Sequence, residues 1–114
     1  MPTDEVIRAR AVLGGAPGAD RSCRIEGVAV TRVLDDDGFL AELLAKLVEE
    51  AREACVASAD DLPAELADVL EVLQSAVVAA GLTWDVLLAV AAGKRARRGG
   101  FSRRLFLEYV EQAV

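Results

Sequence analysis

Between Asp35 and Gly99 the apolar residues recur at helical rather than strand spacing, and turn signals break the repeat around Asp60–Pro63 and at Gly81. The pattern calls for three helices joined by short connections. Composition agrees: 54% of residues are apolar but only 4% are aromatic, a balance carried by Ala, Val and Leu that favours packed helices over a β-sandwich. The chain's 114 residues amount to about one domain. We therefore expect an all-α small helical bundle over residues 31–114, preceded by an irregular arm at 1–30. Gly14, Gly15, Pro17, Gly18 and Gly27 break up the arm, leaving room for a short helix near residues 4–12.

The acidic run Asp35-Asp36-Asp37 suits the start of the first helix, because a carboxylate caps free amides and acids favour the positive helix end. This helix runs to about Ala57. At about 100° per residue, Phe39, Leu43, Leu47, Ala51 and Ala54 share one face, and Leu44, Val48 and Cys55 widen it to about half the cylinder. The second helix starts near Asp60-Asp61, with Pro63 in its first turn and Gly81 at its C-terminal cap. Its expected stripe is Leu62, Leu66, Val69, Leu70, Leu73, Val77 and Ala80. Thr83 opens the third helix, with Asp85 in its first turn and Val86, Leu87 and Val90 as its apolar residues, and Gly99-Gly100 ends it. Beyond lies a basic tail, read as helical from about Leu105 to Ala113.

No window of about 18 uninterrupted apolar residues exists, and the first ten residues lack the apolar stretch of a secretory signal. The expectation is a soluble, cytoplasmic protein that does not engage a membrane. Cys23 and Cys55 are the only cysteines and histidine is absent, which excludes a disulfide framework, a Cys/His zinc site and a His-based nucleophile pair. The two thiols read as reduced packing residues. Carboxylates and cations remain for chemistry, and they are segregated along the chain. Residues 33–93 hold thirteen acids against two cations, whereas residues 94–114 hold six cations against two acids. A basic tail on an acidic body suits an anionic partner for one part and a cation for the other. Few aromatics interleave the tail's cations, so nucleic acid is not the expected partner.

Several acids fall where surface residues should not. Glu50 projects about 20° from Leu43, inside the core-facing arc, and Glu53 follows one turn later at its edge. Glu42 and Glu49 project further aside. On the second helix Glu65 projects between Val72 and Ala76, and Asp68 borders the stripe, whereas Glu71 points away. Each helix thus sends an i, i+3 pair of acids toward the other. Burying like charges costs several kcal/mol per ion unless they protonate, pair or bind metal. Lys46 and Arg52 are the only cations nearby in sequence, and a hard divalent ion, Mg²⁺ or Mn²⁺, suits an all-carboxylate set.

The segment Glu49-Glu50-Ala51-Arg52-Glu53, followed by Glu65-Leu66-Ala67-Asp68, resembles the EExxE…ExxD motif of the MazG-like all-α nucleoside triphosphate pyrophosphohydrolases, which include phosphoribosyl-ATP pyrophosphohydrolase. The flanking text from TRVLDDDGF to KRARRGGFSRRLFL extends the likeness over residues 31–107, and residues 1–30 do not match. The resemblance implies Mg²⁺, with Mn²⁺ as substitute, held by Glu50, Glu53, Glu65 and Asp68, and a nucleotide substrate cleaved to monophosphate and pyrophosphate. It further implies that Lys94 and Arg98 hold the phosphates. Glu49, beside the ligand set but projecting aside, is the candidate to orient water or accept its proton. The alternative is a noncatalytic helical module that binds a nucleotide or a protein.

One neighbouring helix cannot cover both sides of the first helix's wide arc, so self-association is expected. The resemblance implies a homodimer or a dimer of dimers. The rival is that Val6, Ile7, Val12, Leu13 and Val28 of the arm fold over Leu44 and Val48 within one chain.

Overall fold

The computed structural model describes residues 6–8 and 30–112. Among these the protein is all-α, with three helices: α1 (Asp36–Val56), α2 (Leu62–Ala79) and α3 (Trp84–Arg98). The caps follow the sequence closely. The Asp35 carboxylate accepts a hydrogen bond from the Gly38 amide at 2.7 Å and closes the start of α1. Thr83 Oγ1 accepts from the Val86 amide at 3.2 Å at the start of α3. At the end of α2 the Leu82 amide donates to the Val77 carbonyl and the Gly81 amide to the Val78 carbonyl, each at 3.0 Å. This paired cap places Gly81 at a φ of 77°, which a residue without a Cβ adopts without strain.

α1 and α2 pair as an antiparallel hairpin. Leu43 from early α1 joins Val72 and Ala76 from late α2 in one buried cluster, with Leu40, Leu47, Ala79 and the arm's Ile7 packed around it. The expected α2 stripe needs correcting, because Leu62, Leu66, Leu70 and Ala80 are exposed and Val72 and Ala76 are buried instead. Helix axes approach to a distance set by the side chains at the contact, and Val72 and Ala76 admit a closer approach than the leucines do. The line through Glu65, Val72 and Ala76 therefore faces α1, and the leucine line lies about a quarter-turn round the helix.

α3 turns away from α2 by 107° and packs against α2 but not α1. None of its residues is buried. No single helix among the described residues is long and apolar enough to cross a membrane.

Other expectations need revision or fall partly outside the described residues. The tail is not helical over residues 105–112. A turn closed by the Arg104 amide on the Phe101 carbonyl precedes it, and Leu105, Phe106, Leu107, Tyr109 and Val110 are each at least 71% exposed. A segment of nine residues is too short to hold a helix without a surface to pack against. Cys55 is exposed rather than packed, and Cys23 lies outside the described residues. Of the short helix expected near residues 4–12, only residues 6–8 are described, and they are not helical. Ile7 packs on the Leu43 cluster, not over Leu44 and Val48, which stay 50% and 49% exposed. Val12, Leu13 and Val28, the other members of that expected cover, lie outside the described residues.

Candidate metal centre

The pairing that buries Leu43 against Ala76 also sets Glu50, seven residues further along α1, against Glu65 and Asp68 near the start of α2. One carboxylate oxygen from each of the three acids lies within 4.8 Å of the others. Glu50 is the most secluded, with 4% of its surface exposed, and Glu65 and Asp68 are half-buried. Oε2 of Glu50 and Oε2 of Glu65 are both shielded from solvent. Glu53 is half-buried and stands outside this triplet, but it hydrogen-bonds Glu50 and adds like charge beside it.

Lys46 supplies what the sequence argument undervalued. Its Nζ lies 3.2 Å from Glu50 Oε1 and 3.6 Å from Glu49 Oε2. The i, i+4 and i, i+3 spacings were visible, but only the packed hairpin shows that the ammonium reaches a buried carboxylate. Arg52 projects to the exposed side of α1. Glu49 keeps 41% of its side chain exposed and so remains accessible to water beside the cluster.

Burial pushes the Glu50 carboxyl above its ordinary range; the hydrogen bond and charge of Glu53 push the same way, and Lys46 pulls back. Folded Glu50 therefore keeps its proton to higher pH than it does in the unfolded chain. Its contribution to stability is largest at or below the unfolded carboxylate value, about 4.3, and is lost as pH rises through the folded value. Without divalent metal, the melting temperature is expected to fall over this range, and Glu50→Gln should flatten that fall. Melting curves of both proteins in a chelating buffer check this, and parallel pH profiles would contradict it.

The donor set fits a small hard cation. Mg²⁺ holds oxygen ligands at about 2.1 Å, so its ligands lie roughly 3–4 Å from one another, and the three oxygens here are already within 4.8 Å of each other. The three carboxylates, with Glu53 hydrogen-bonded to Glu50 beside them, would leave positions for water or substrate oxygens.

The predicted phosphate-binding cations are not brought to this cluster. Lys94 and Arg98 are exposed near the end of α3. Arg98 lines a separate cavity of about 200 Å³ with Gly99, Gly100, Phe101, Arg103 and Arg104. No family model, curated protein or solved structure matches the chain.

Proposed function

We propose that the protein is a Mg²⁺-dependent nucleotide pyrophosphohydrolase that cleaves a nucleoside triphosphate or related nucleotide to its monophosphate and pyrophosphate, working as a homodimer or dimer of dimers. The observation that carries this reading is the convergence of Glu50, Glu65 and Asp68 across the α1–α2 interface, with Glu50 buried. A buried carboxylate held against two others is costly to maintain without a function for it.

Glu50, Glu65 and Asp68, joined by Glu53, would hold Mg²⁺ or Mn²⁺. The ion supplies Lewis acidity toward phosphate oxygens. Glu49, at the exposed edge of the cluster, orients the attacking water and takes its proton, while Lys46 fixes the Glu49 and Glu50 carboxylates. Water adds to phosphorus as the bond to the pyrophosphate oxygen breaks. Lys94 and Arg98 bind the phosphates and offset charge on the departing pyrophosphate. α3 does not contact α1, so in this reading those two cations act on substrate that extends beyond the cluster or on the site of a second chain.

The same separation favours a second reading, a noncatalytic helical module binding nucleotide or protein. A nucleotide panel assayed with Mg²⁺ and Mn²⁺, with pyrophosphate and monophosphate quantified separately, distinguishes the two. Release of pyrophosphate supports the enzyme, and binding without release supports the module. Lys94→Ala and Arg98→Ala are each expected to weaken nucleotide binding about tenfold or more while sparing the metal-induced thermal shift, because charge-assisted bonds to phosphate contribute about 1.5–3 kcal/mol. If either removes metal binding as strongly as Glu50→Gln does, the division of roles is wrong.

A further inference from the structure

The hairpin carries a second feature on the acidic side. Phe39, from the first turn of α1, and Gln74, Ser75 and Val78, from the second half of α2, line an open cavity of about 310 Å³. On α2, Ser75 lies seven residues beyond Asp68, about two turns and therefore nearly in line with it, roughly 10 Å along the axis. On α1, Phe39 shares the face of Glu50 to within about 20°. The cavity and the carboxylate cluster thus lie along one side of the same two helices.

We propose that this cavity seats the nucleobase of the substrate. The inference rests on the pyrophosphohydrolase reading and adds to it the residues that recognise the organic half of the nucleotide. Phe39 is 40% exposed, and an aromatic side chain at a cavity wall offers a stacking surface to any base. Gln74 and Ser75 add an amide and a hydroxyl that both donate and accept hydrogen bonds, the chemistry needed to distinguish base edges. Val78, 74% exposed, adds an apolar wall. The axial spacing matches a ligand with a flat ring at one end and a polyphosphate at the other. A base at Phe39 places its phosphates along the line toward Asp68 and Glu50.

Calorimetric titration in Mg²⁺ tests this, with nucleoside triphosphates of different bases compared against inorganic tripolyphosphate, which has no base. The wild type is expected to bind nucleotides at least about tenfold tighter than tripolyphosphate. Phe39→Leu, which keeps apolar volume but removes the ring face, should lose most of that advantage, and Gln74→Ala should change the ranking among bases. Neither variant should alter tripolyphosphate affinity. Equal affinity for nucleotides and tripolyphosphate in the wild type, or unchanged nucleotide binding by Phe39→Leu, would overturn the base site while leaving the metal and phosphate reading intact. Failure of both probes to bind overturns the base site together with the function on which it rests.

Discussion

Glu50→Gln and Asp68→Asn are each expected to reduce Mg²⁺-stimulated pyrophosphate release by at least about 100-fold, since even groups that only support metal ligands cost 10–100-fold when removed. The same variants should lose the thermal shift on adding metal. An ion bound to the native state at about 100 times its dissociation constant stabilises by about 2.7 kcal/mol, which for a domain of this size is roughly 10 °C. Glu50→Gln is the more telling of the two, because the native apo protein already holds that carboxylate at a cost. Burial raises its affinity for a proton, and Gln carries no charge to desolvate. The metal-free variant should therefore melt no lower than the wild type at neutral pH. A stable variant that loses both activity and metal response separates ligand loss from misfolding. Equal metal-induced shifts in the wild type and both variants would remove the metal centre from the proposal.

Replacing both Leu44 and Val48 with Asp is expected to convert an oligomer into a folded monomer and to impair pyrophosphate release with it. Both residues are about half exposed on α1, on the side where Cys55 also lies exposed. On α2, Leu66 and Leu70 are 52% and 46% exposed. Each set lies about a quarter-turn or more from its helix's contact line, in the same rotational sense. Antiparallel packing mirrors that sense between the two helices, so both sets emerge on one side of the hairpin, and the acids emerge on the other. A contiguous apolar face of this kind marks an interaction surface. A charge left uncompensated in a buried interface costs about 3–5 kcal/mol, so two per chain should weaken association by more than about a thousandfold. Light scattering should give the wild type a mass of at least twice 12.1 kDa and the variant a mass near 12.1 kDa, with helical circular dichroism retained. A wild-type monomer, unchanged by concentration, Mg²⁺ or nucleotide, would refute the assembly.

Local signals along the chain were sufficient to read the three helices. Asp35, Thr83, Pro63 and Gly81 act through hydrogen bonds and dihedral preferences within a turn of their own position, so their meaning does not depend on what lies across the fold. The misplaced α2 stripe failed for the complementary reason. Hydrophobic periodicity identifies which residues are apolar, but Leu62, Leu66 and Leu70 compete with Val72 and Ala76 for a single contact with α1. Close approach selects the smaller pair. The tail failed because its residues carry apolar content without a partner surface, and a short helix needs one.

The candidate site divides along the same line. The sequence by itself determined that Glu50, Glu53, Glu65 and Asp68 occupy paired i, i+3 positions near apolar helix faces, because helical phase follows from spacing alone. Only the tertiary structure decided that Glu50, Glu65 and Asp68 form the close triplet with Glu53 beside it, that Lys46 reaches the buried carboxylate, and that Lys94 and Arg98 lie apart from the acids on α3. Those distances depend on the axial offset between α1 and α2 and on the 107° turn into α3. Both are set by which side chains pack at the contacts, a property of pairs of helices that no single helix's spacing contains.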